Sequence, residues 1–193
     1  MRTRIVGMAA HMFFGAALAV TAVTAAQADD HAVKVTPLGS HDGEFCSRDR
    51  ALIFEDPNGT RILYDAGRTV AGSDDPRLGN IDVVLVSHMH GDHVGDQRIA
   101  KTNQGSCASP DTSVSSLPQS NTVDIALKKN ATIVTGSEMP AFFAAKLKEG
   151  SGDPSKSVLV RFGGSRDIGG VSITTVPAVH SNGVSPSFLS GPL

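Results

Sequence analysis

Apolar and polar positions alternate from Ala32 to Gly39, which predicts a strand closed by Pro37 and Gly39. Two further apolar runs, 51–56 and 61–65, flank Pro57-Asn58-Gly59-Thr60 and predict a hairpin, with Asn-Gly supplying the positive φ of a tight turn. The run 81–87 (Ile-Asp-Val-Val-Leu-Val-Ser) is β-branched and nearly continuous, the pattern of a strand covered on both faces. Residues 101–120 are rich in Ser, Thr, Asn, Gly and Pro and read as a long inserted loop near the site described below. Ser120 and Asn121, with Asp124, would cap a short helix over 123–129, and 131–136 returns as a strand. Ser137 is then a candidate N-cap for a helix in which Met139, Phe142, Phe143 and Leu147 recur at helical spacing until Gly150. Two more strand-like runs, 157–162 and 171–179, are linked by Gly163-Gly164 and Gly169-Gly170. Strands alternating with helices predict an α/β or α+β layered fold. After Ser181 no further element is predicted, so the chain reads as stopping before its domain does.

Charge and leader change the picture next. Arg2 and Arg4 precede an apolar stretch from Ile5 to Val23, and Ala26-Gln27-Ala28 follows, the order of a signal peptide over residues 1–28. The expectation is a secreted or periplasmic domain over 29–193 with no stable membrane insertion after cleavage. Removing two arginines and no acidic residue turns 17 basic against 19 acidic into 15 against 19. A mildly acidic chain without a Lys/Arg patch argues against nucleic acid as a partner. With no Trp and one Tyr, an aromatic platform for sugars or bases is also unexpected. Cys46 and Cys107 would meet an oxidising compartment, where a disulfide between them is open to geometry.

The chemistry concentrates in one place. Three of seven histidines fall within His88-Met89-His90-Gly91-Asp92-His93, directly after the doubly covered strand. In extended backbone His88 and His90 share a face and can reach one metal. Gly91 permits a sharp turn that would bring Asp92 and His93 toward a second position. Neutral imidazoles and a carboxylate suit zinc. Neither a His-Glu-x-x-His helix nor paired Cys-x-x-Cys motifs are present.

His-x-His-x-Asp-His after an apolar strand resembles the metal-binding motif of the metallo-β-lactamase-fold hydrolases. That resemblance covers roughly Val33 to His180 and implies the first half of a four-layer αββα sandwich. It implies that Asp65, in Tyr64-Asp65-Ala66-Gly67, orients the histidine loop, and that His180, after 174–179, is a further ligand. His88, His90 and His180 would hold a first zinc, and Asp92 and His93 would contribute to a second, Asp92 also holding the attacking water. A later Asp and His of the family pattern have no counterpart after His180. His31 and His41 read as solvated. The implied activity is hydrolysis of an ester, lactone, lactam or phosphodiester small molecule using one or two zinc ions. The Val-Pro-Ala-Val-His-Ser run resembles the lactonase-like branch more than the antibiotic-degrading one. The competing expectation is a non-catalytic periplasmic metal-binding protein that keeps half the fold, and a nuclease of the same fold is disfavoured by export and charge. The residues do not determine oligomeric state.

Overall fold

In the computed structural model, described for residues 31–47, 51–180 and 183–189, twelve strands and three α-helices are assigned. The expected signal segment 1–28 lies outside the described residues. Among the described residues no helix is long and apolar enough to cross a membrane.

The strands are β1 (Lys34–Pro37), β2 (Leu52–Glu55), β3 (Arg61–Tyr64), β4 (Val83–Leu85), β5 (Gln97–Arg98), β6 (Gly105–Ser106), β7 (Ser109–Pro110), β8 (Val114–Ser115), β9 (Thr132–Thr135), β10 (Ser157–Leu159), β11 (Ser165–Ile168) and β12 (Val171–Thr174). The helices are α1 (Gly91–Val94), α2 (Asn121–Lys129) and α3 (Met139–Glu149). One mixed sheet runs β1-β2-β3-β4-β9-β10. Its first three strands are antiparallel, whereas β3, β4, β9 and β10 are parallel neighbours.

Register places Ile53, Leu63, Val84 and Ile133 in one row across β2, β3, β4 and β9. All four are fully buried in the cluster that takes in Val123 and Ile125 of α2 and Phe143 and Leu147 of α3. Each such side chain stabilises the fold by roughly 1.5–3 kcal/mol relative to exposure. The adjacent positions Ile62, Val83 and Val134 face the other way and are covered by Ile168, Val171 and Ile173 of the β11–β12 hairpin. Helices, large sheet and second small sheet therefore form an α-β-β succession, and β4 is apolar throughout because both of its faces are inside it.

Five details differ from expectation. Only Gly59 of the β2–β3 turn takes a positive φ (89°); the turn is built on Asp56, whose Oδ1 accepts from Asn58 N (2.9 Å) and Thr60 N (3.3 Å). Ser137 is not the N-cap of α3: it sits at φ 55°, and Glu138 precedes the helix without a side-chain cap. At α2, by contrast, the Ser120 side chain does accept from Val123 N (3.2 Å), and the helix begins two residues before expectation, at Asn121. The stretch expected as a loop belongs instead to a nested hairpin over 97–115, β5 with β8 and β6 with β7. Its tip is bound to the β1–β2 loop by the Cys46–Cys107 disulfide, Cα–Cα 4.8 Å, and by Asn103 N donating to Ser40 O (2.7 Å). Finally, β12 stops at Thr174 instead of continuing to 179, since Pro177 cannot donate to a ladder.

Candidate metal centre

Strands β3, β4 and β9 are parallel, so their C-terminal ends share one edge of the sheet. In α/β sheets ligands collect at such edges. Asp65 follows β3, and Ser87 and His88 follow β4. Asp65 adopts φ 47° and is fully buried, its backbone N donating to Leu85 O (2.8 Å). Its carboxylate accepts from Ser87 N (2.8 Å), Ser87 Oγ (2.7 Å) and His93 Nδ1 (2.7 Å). A buried carboxylate needs such donors, and here they are the two ends of the histidine run.

These bonds set the tautomers. Ser87 Oγ has one hydrogen, directed at Asp65, so at 3.0 Å it accepts from His88 Nδ1. Both His88 and His93 then carry their proton on Nδ1, which leaves the Nε2 lone pairs outward. His88 Nε2 lies 3.1 Å from His180 Nε2, which lies 3.2 Å from His90 Nδ1. The ligand atoms of the three residues all fall within 4.8 Å of one another. Burial first, then the imidazoles of His93, His90 and His180, push His88 down to about 4 against the pull of Asp65. It is therefore neutral near pH 7, the form in which imidazole donates to a cation.

The donor set fits zinc. At Zn–N of about 2.0–2.1 Å, tetrahedral neighbours stand roughly 3.3 Å apart, close to the two measured separations.

His93 does not join that cluster. Its ring stacks at a tilt on His88, centroids 3.9 Å apart, and its Nε2 lies 3.7 Å from Asp92 Oδ2. The Asp92 carboxylate is 43% exposed. Gly91 opens α1 rather than a simple turn, and a Cβ there would stand 2.3 Å from Asp96 Oδ2. Asp96 is clamped by Arg68 through two hydrogen bonds of 2.8 and 2.9 Å, so the backbone beneath the histidines is fixed from below. Gly95, at φ 74°, ends α1, and a Cβ there would collide with Asn121 and Ala66 O. Asn121 Nδ2 in turn donates to Gly67 O (3.1 Å) and Val70 O (2.9 Å), tying the segment after Asp65 to α2.

His180 reaches the cluster from the exposed segment after β12, 92 residues from His88. His41 is elsewhere, 48% exposed beside Glu44, and His31 is exposed. Ser87 is the residue that sequence reasoning missed. A hydroxyl immediately before the first histidine of the run was the available signal.

A metal-dependent hydrolase of the UPF0173 group from Koribacter versatilis (strain Ellin345) is 27% identical over 132 residues, which is 67% of this chain and 43% of that protein. The chain thus spans less than half the length of that relative. No solved structure matches. The model of the beta-lactamase superfamily domain matches residues 49–189. Because that region holds every member of the histidine cluster and more than half of the sequence, the chain belongs to the beta-lactamase superfamily.

Proposed function

We propose that the protein is a zinc-dependent hydrolase of ester, lactone, lactam or phosphodiester bonds. The convergence of His88 Nε2, His90 Nδ1 and His180 Nε2 on one point carries this reading. The name of the K. versatilis relative supports it. Zinc held there would lower the pKa of a water from about 16 toward 7 and polarise the oxygen of the bond to be cleaved.

The chain's own residues supply the remainder. Asp65 and Ser87 hold His88 and His93 in the Nδ1–H tautomer, so that the Nε2 of each is a donor of electrons and not of a proton. Asp92, whose Oδ2 lies 3.7 Å from His93 Nε2, would hold the attacking water and accept its proton. Asp92 and His93 would also contribute two ligands to a second ion. In the net reaction the water oxygen joins the carbonyl or phosphoryl centre, the bond to the leaving group breaks, and the proton passes to that group.

We also propose that the protein works outside the cytosol. The Cys46–Cys107 disulfide supports this, since such bonds persist in oxidising compartments.

The test is chelation and reconstitution of the full-length chain. Hydrolysis of a 4-nitrophenyl ester should vanish with the metal and return with zinc in the wild type and in His41→Ala, but not in His90→Ala. Turnover that survives complete removal of metal would overturn the reading.

A further inference from the structure

A cavity of about 680 Å³ opens beside the histidine cluster, between the edge of the large sheet and the segment after β12. Its walls include Leu85, Met139, Phe162, Ile173, Val176 and Val179. The other side chains that line it are imidazoles, hydroxyls and small residues, and none is Lys, Arg, Asp or Glu. Three of the apolar walls are left open to solvent: Phe162 is 57% exposed, Val176 80%, and Val179 fully. They lie on two neighbouring segments, 160–164 and 175–179, which are joined by Gly163 N donating to Thr175 O (2.9 Å), and the second of which leads into His180. The Phe162 ring lies over Gly136 at the end of β9, where a Cβ would be 3.4 Å from Cε1. Exposed apolar side chains are ordinary when scattered, but a contiguous group beside a reactive centre marks a binding surface.

We propose that this cavity takes an uncharged acyl substrate, an ester or lactone, whose apolar arm lies along Phe162, Val176 and Val179. The assignment rests on the hydrolase reading above and narrows it. A charged group on the arm would find no ion partner among the lining side chains and would gain nothing from the apolar walls. An apolar arm gains from leaving water instead. In the reaction the water oxygen bonds to the acyl carbon, the acyl C–O bond breaks, and the proton ends on the departing alkoxide, giving an acid and an alcohol.

The zinc-loaded full-length protein should be given 4-nitrophenyl acetate, butyrate and octanoate, and mono-4-nitrophenyl octanedioate, whose arm ends in a carboxylate. The proposal predicts that kcat/KM rises roughly two- to fourfold per added methylene until the arm outgrows the wall. The octanedioate should fall at least tenfold below the octanoate. Phe162→Ser, at an exposed position, should reduce the octanoate-to-acetate ratio at least tenfold, and Val179→Ser should act in the same direction. Calorimetry with octanamide and acetamide, with no metal added, reads the cavity apart from catalysis: octanamide should bind more tightly to the wild type than to either variant. Ester hydrolysis that ignores both arm length and terminal charge would overturn the proposal while leaving the hydrolase reading intact. Octanamide binding that depends on Phe162 without hydrolysis of any ester would uphold the cavity and overturn the hydrolase reading. If octanamide binds no better than acetamide, the cavity assignment is wrong.

Discussion

Replacing Asp65 by Asn removes one charge from beneath the site and leaves its shape nearly unchanged. The wild-type carboxylate accepts three hydrogen bonds, from Ser87 N, Ser87 Oγ and His93 Nδ1. An amide keeps the acceptor for Ser87 N but turns an NH2 group toward Ser87 Oγ and His93 Nδ1, where two donors already point. Each hydrogen bond to a charged group contributes about 1.5–3 kcal/mol. The cheapest relief is for His93 to move its proton from Nδ1 to Nε2, which removes that nitrogen's outward lone pair. Ser87 loses its fixed hydrogen at the same time, so the His88 tautomer is no longer enforced. Loss of such an orienting partner weakens metal binding on the order of 10–100-fold, or about 1.4–2.7 kcal/mol. Competition with a chelating dye measures zinc affinity, and long-range proton–nitrogen spectra of the imidazoles report which nitrogen is protonated. An Asp65→Asn protein that binds zinc within threefold of the wild type, with His93 still protonated at Nδ1, would refute the reasoning.

Replacing both Cys46 and Cys107 by Ala should destabilise the fold by about 2–4 kcal/mol, since the bond closes a loop of 61 residues. Denaturant melts of the variant, and of wild type with and without reductant, check this; identical midpoints would contradict it. For pH, burial raises Asp75, but the side-chain hydrogen bond from Arg77, the backbone N–H of Ala71 and the Arg77 charge more than offset it and hold it below 3.8. A lowered carboxylate contributes stability that is fully present above its unfolded value and is lost as pH falls below about 3.8 toward the folded value. Asp75→Asn should therefore flatten the stability curve below pH 4 in chemical denaturation, and an unchanged curve would exclude this ion pair as a cause.

Much of the fold was legible because burial wrote it into residue type. Val83 and Val84 face opposite cores, so β4 had to be apolar at both, and the run 81–87 showed it. The β11 strand was invisible for the opposite reason. Ser165, Arg166 and Asp167 are exposed, and only Ile168 touches the core, so no apolar period marks them. Gly169-Gly170, read as a linker, is the turn of the β11–β12 hairpin, with φ of 61° and 81°. The four residues of the histidine run could be picked out from type and spacing, and Asp65 through the family resemblance. That His180 meets His88 and His90 while His93 turns to Asp65 and Asp92 is decided by tertiary contacts, which local spacing does not encode. The pairing of Cys46 with Cys107 likewise depends on the nested hairpin over 97–115, whose polar composition hid its ladders.

Zinc content after exhaustive dialysis tests the central claim most directly, measured on the wild type, His90→Ala, His180→Ala and His41→Ala as full-length proteins. In the proposed centre three imidazoles would hold the metal, and loss of one would leave two ligands, too few for a stable site. Wild type and His41→Ala should retain zinc, while His90→Ala and His180→Ala should lose it together despite lying 90 residues apart. Equal retention in all four proteins would contradict the three-histidine centre.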